Sequence, residues 1–136
     1  MITVNGQNQD VVNAANIAAN TAALAEITQY VTVADNGSDV YPIDMASRPY
    51  KNIRIATADA DAKEVTVSNV PAGDAELFIE LTYTNAAAIT WTLKAASTVT
   101  WLTGSAPTLT AGKVYYIAAL TSDGGAIWRC NSIGGW

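Results

Sequence analysis

Two periodicities divide the chain. Between about residues 10 and 29 large apolar residues are sparse; Ile17, Leu24 and Ile27, with Val31 beyond, make one set, and Val12 falls outside it. The set has the spacings of a heptad seam. With Ile17 and Leu24 at position a, Ile27 falls at d, as do Asn13 and Asn20. The other positions are mostly Ala, Asn and Thr, and Ala is the best helix former. Asn8 or Asp10 is placed to cap the start. The pattern predicts a rod of roughly 18 residues and about 27 Å. So thin a stripe does not hold a lone helix in water. Three arrangements remain open. The helix packs on its own β-domain through Ile17, Leu24 and Ile27; or it forms a short parallel coiled coil, with Asn layers fixing register at some cost in stability; or it is a partly disordered tail.

After residue 30 the period becomes two. Residues 30–34, 52–58, 64–69, 76–83, 88–94, 98–101, 113–120 and 126–131 alternate apolar with polar and are rich in β-branched and aromatic residues. Turn signals separate them: Asp35-Asn36-Gly37, residues 59–63 and 71–74, Asn85, residues 104–107, Ala111-Gly112 and Asp123-Gly124-Gly125. The last should close a tight hairpin, because both glycines can take positive φ. Short strands so punctuated predict an antiparallel β-sandwich or jelly-roll head over residues 31–136, carried on a helical stem over residues 1–30.

Composition mainly excludes. The 136 residues hold no His, which removes the commonest general base and every His-ligated metal site. A single cysteine, Cys130, rules out an internal disulfide framework. The net charge of −5 argues against a phosphate-binding surface and hence against nucleic acid. The start, MITVNGQNQD, has no basic region followed by an apolar one, and no apolar run reaches membrane-spanning length, so neither a signal peptide nor membrane insertion is expected.

The candidate chemistry is thin. Asp35 and Asp39 flank Asn36-Gly37-Ser38, an oxygen-rich loop of the kind that holds calcium, but without the alternation and closing Glu of an EF-hand; an Asx turn explains it more simply. Asp59 and Asp61 are expected at a solvated hairpin tip. With Glu64 they are the acidic residues a glycan-cleaving enzyme would need. Cys130 follows Arg129, which could lower its pKa, though a small core filler is the simpler reading. Trp91, Trp101, Trp128 and Trp136, with Tyr115 and Tyr116, crowd the last third. They suit a glycan or receptor platform, an interface between subunits, or a core. No catalytic residue, metal ligand or cofactor is assigned.

One stretch resembles a known family. Residues 99–128 read VTWLTGSAPTLTAGKVYYIAALTSDGGAIW. They are similar to the closing segment of many bacteriophage fibre proteins, with Trp101, Gly104, Pro107, Gly112, Asp123, Gly124, Gly125 and Trp128 at the matching places. Ile17-Ala18-Ala19-Asn20-Thr21 is similar to the polar layers of trimeric fibre and adhesin coiled coils, where three Asn side chains surround an anion. The resemblance implies a homotrimeric virion protein, either a tail fibre, a head fibre or a capsid or tail decoration protein. Such a protein is made in the host cytoplasm and exposed on the particle. Its N-terminal segment would attach to a capsid or tail protein, and its head would adhere to the host surface or its glycans. The chain departs from long fibres in lacking a shaft. The expectation is therefore a non-enzymatic structural protein, with a free-standing carbohydrate-binding module as the alternative.

Overall fold

The computed structural model describes residues 3–4, 6–84 and 88–135. The protein is mainly β, with one helix near the N-terminus. A short hairpin, β1 (Thr3–Val4) with β2 (Gln7–Asn8), precedes α1 (Gln9–Thr28). Asn8 thus stands just before the helix and Asp10 in its first turn, where a negative charge suits the helix dipole. The helix is 20 residues long, about 30 Å.

The strands that follow alternate between two sheets. β3 (Val31–Thr32), β5 (Tyr50–Ala56) and β7 (Ala75–Tyr83) lie side by side in the larger sheet. β4 (Val40–Asp44), β6 (Lys63–Ser68) and β8 (Ile89–Thr92) form the smaller one. Every neighbouring pair among these six strands is parallel. The chain therefore winds as a coil of two-strand turns, a β-solenoid-like arrangement rather than the antiparallel sandwich or jelly roll expected above. The reason is connectivity. A strand whose successor crosses to the opposite sheet meets, as its neighbour, the strand one full turn later, and that strand runs the same way.

In the larger sheet the parallel winding ends at β7. β10 (Lys113–Thr121) pairs antiparallel with it from Lys113 opposite Tyr83 to Thr121 opposite Ala75. β11 (Ile127–Gly134) folds back on β10, and β9 (Thr98–Trp101) runs parallel to β11 at the far edge. The larger sheet thus reads β3-β5-β7-β10-β11-β9. The hairpin expected at Asp123-Gly124-Gly125 is there, and both glycines have positive φ. Its polar groups are used locally. The Thr121 hydroxyl donates to Asp123 Oδ1 at 2.7 Å and accepts the Gly125 N–H at 3.0 Å, while Asp123 Oδ1 also accepts the Ile127 N–H at 3.0 Å. The Ile127 N–H, then the Thr121 hydroxyl, hold the Asp123 carboxyl below its usual pKa.

The core lies between the sheets. Register stacks like on like, with Ile53 beside Ile79 and Ile79 beside Ile117. Ile55, Leu81 and Tyr115 form the next row. Tyr41, Ile43, Val65, Val67 and Leu93 face them from the side of the smaller sheet. Strand β4, VYPID, has no counterpart among the expected segments, and its Pro42 is the reason. Proline removes a ladder donor, so it argues against a strand except at an edge, and β4 is an edge.

Candidate functional site

Three places bring functional side chains together. The first is built on the loops before β4 and β6. Asp35 Oδ1 accepts the N–H groups of Gly37 (2.7 Å) and Asp39 (3.2 Å), the Asx turn expected there. Asp59 Oδ1 accepts the N–H of Asp61 at 3.1 Å. Asp59 is not at a hairpin tip, because β5 and β6 belong to different sheets. The coil instead brings the carboxylates of Asp35, Asp39 and Asp59 within 4.8 Å of one another.

The Lys63 ammonium sits among them, 3.1 Å from Asp35, 2.5 Å from Asp39 and 2.6 Å from Asp59. Its side chain is 0% exposed. The loop that suggested calcium thus holds a lysine as its cation. The hydrogen bonds that Lys63 donates to Asp39 and Asp59 raise its pKa against the opposing effect of burial. For Asp35, burial favours the neutral form, but Lys63 and the Gly37 N–H outweigh it and hold the carboxyl low. Lys63 does the same for Asp59. A base whose proton is held this firmly is a poor proton shuttle, and the arrangement ties two loops to the start of β6. Lys63 was not singled out from the sequence, although the alternation of charge in ATADADAKE marked it.

The second place is the helix. Ile17 is 66% exposed and Leu24 61% exposed, so neither is packed on the β-domain, and that arrangement fails for these two residues. Asn13 and Asn20 are also on the exposed part of the helix. Ile27 lies within α1, but its side chain is outside the described residues. The helix touches the rest of the chain at β2 and β5.

The third place is the aromatic set. Trp128 is completely buried, and Trp101, Tyr115 and Cys130 are core residues with it. Trp91 is half-buried and meets Trp101 edge to face, with ring centroids 5.7 Å apart. Trp136 lies outside the described residues. Tyr116 is on the other side of the larger sheet, stacked on Phe78. There a cleft of about 400 Å³ opens between Tyr30, Tyr50 and Phe78, with Asn52 and Glu76 in its wall. Tyr50 Oη donates to Asn52 Oδ1 at 3.0 Å, and the Arg54 guanidinium lies over the Tyr30 ring, 4.9 Å from its centroid. No sequence period joins Tyr30, Tyr50 and Phe78. Successive turns of the coil do.

Burial pushes the Cys130 thiol up to about 12. In the native protein at pH 7.5 a thiol reagent should therefore modify less than about a tenth of it, and all of it once the chain is denatured. Rapid labelling of the folded protein would contradict its place in the core.

The fold and these sites define the protein only as a mainly β, solenoid-like domain on an N-terminal helix. Compared with protein families, curated proteins and solved structures, the chain matches none.

Proposed function

We propose that this chain is a non-enzymatic structural protein of a bacteriophage virion, a homotrimeric fibre or a capsid or tail decoration protein that serves adhesion to the host surface or its glycans. The observation that carries the reading is the helix. Ile17 and Leu24, one heptad apart, face solvent on a helix too thinly apolar to stand alone. Parallel copies of the same helix would cover both and place Asn13 and Asn20 in layers between them. A coil of stacked turns suits an exposed particle, since each turn buries its apolar face on the next. The fibre-like segment agrees, and its Thr121-Asp123-Gly124-Gly125 hairpin closes on its own hydrogen bonds. Attachment to a capsid or tail protein falls to the N-terminal segment, and three heads on one stem would raise avidity for weakly held sugars.

A free-standing carbohydrate-binding module is the second reading, favoured by the cleft walled by Tyr30, Tyr50 and Phe78. The mass in solution separates the two. Light scattering on the whole chain is expected to give three times 14.2 kDa. Ile17→Asp with Leu24→Asp should raise the concentration for half-dissociation by about a hundredfold, because each charge would be buried unpaired in the seam. A clean wild-type monomer would move the binding module to the front. A trimer indifferent to both substitutions would make the helix a local prop.

A further inference from the structure

The larger sheet has an outer face, turned away from the core, and it is only partly polar. Reading across the strands in register, one row is Tyr50, Glu76, Leu120 and Arg129. The next is Asn52, Phe78, Ala118 and Asn131, and the third is Arg54, Glu80, Tyr116 and Ile133. Leu120 is 46% and Ile133 60% exposed. Phe78 and Tyr116 stack with centroids 5.7 Å apart, and Tyr30 meets Phe78 edge-on at 6.4 Å. A sheet face that meets only water usually carries polar residues, and an apolar patch rimmed by charge marks a contact surface.

Two observations say what covers it. Tyr30 comes two residues after α1 ends at Thr28, so the stem enters the head on this face. Helices joined along the Ile17–Leu24 seam would bring the same face of each head toward a common axis. Charge is the second observation. Arg54 is spent within the chain on Glu80, 2.7 Å away. Glu76 remains on the β7 half of the face and Arg129 on the β11 half, with Leu120 between them. Arg129 also lies close enough to Asp123 to lower its pKa. In a rotational assembly one half of a face meets the other half of the next copy, so acid would meet base.

We propose that the outer face of the larger sheet is the head's own contact with neighbouring copies of this chain, Glu76 of one copy facing Arg129 of the next across the apolar strip of Phe78 and Leu120. This rests on the trimer reading above. The test is a dilution series followed by light scattering on the whole chain, stem intact. Glu76→Arg and Arg129→Glu should each raise the half-dissociation concentration by about tenfold, and the two together should bring it back to within about threefold of wild type. Leu120→Glu, at an exposed position that leaves the fold intact by circular dichroism, should weaken the trimer at least as much. A wild-type trimer that ignores all three single changes overturns the assignment and leaves this face to another occupant, such as a glycan. Single changes that weaken the trimer without rescue in the double variant overturn the Glu76–Arg129 pairing. A wild-type monomer at every concentration overturns the trimer reading itself.

Discussion

Trp128→Ala is expected to destabilise the domain by about 3–5 kcal/mol, the usual cost of emptying an aromatic site in a core. At this chain length that is a fall in melting temperature of about 10–20 °C. The indole is completely buried, and β11 holds it between β10 and β9. Removing it leaves a cavity that the two flanking strands cannot close without breaking their ladders. Among the described residues the indole Nε1 has no hydrogen-bond acceptor. Trp128→Phe keeps an aromatic ring in the site and forfeits only part of the volume, so it should cost about half as much or less. Chemical denaturation of the two variants beside wild type measures both. Equal losses would mean that the indole nitrogen, not the ring volume, is what the site needs.

Lys63→Met should be the next most damaging substitution, and its signature is in its pH dependence. It leaves the carboxylates of Asp35, Asp39 and Asp59 within 4.8 Å of one another with no cation between them. The melting temperature at pH 7 should fall by about 5–10 °C. In the wild type, Asp35 and Asp59 titrate below their ordinary value of 3.8. Their contribution to stability is complete above that value and is lost as the pH falls through the lower folded values. Lys63 is shifted upward from 10.5, so its contribution is complete below 10.5 and is lost only in strong alkali. The wild type should thus lose stability below about pH 4, while in Lys63→Met protonation relieves repulsion. The two melting temperatures should converge as the pH falls from 7 to 2.5, at one fixed protein concentration. A constant gap across that range would mean that Lys63 acts through packing and not through its charge.

Much of the local structure is legible in the residues. Alternation placed the strands from Ile53 to Ile55, from Leu77 to Leu81 and from Tyr115 to Ala119 with the apolar set facing inward, and the inward residues are buried. The Ala-rich segment before residue 29 is helical within a residue or so of the expected limits. The Asp123-Gly124-Gly125 hairpin and the Asx turn at Asp35 formed where their residues pointed. All of these depend on neighbours a few positions away, and a linear chain displays such neighbours directly.

The partners of each strand are another matter. A period of two states which side of a strand is buried, and it is the same for parallel and antiparallel pairing. Whether β5 would meet β6 as a hairpin or β7 as the next turn of a coil depended on where the intervening loop crosses, a property of the whole chain. That one choice produced both sites that residue order conceals. It carried Asp35 and Asp39 to Lys63 and Asp59, and it lined up Tyr30, Tyr50 and Phe78 across three turns. Trp128, likewise, is buried on a strand whose edge neighbour, β9, is not the preceding strand in the chain. Local preference sets what each segment is; only the closing of long loops, a cost borne once by the whole fold, sets what it touches.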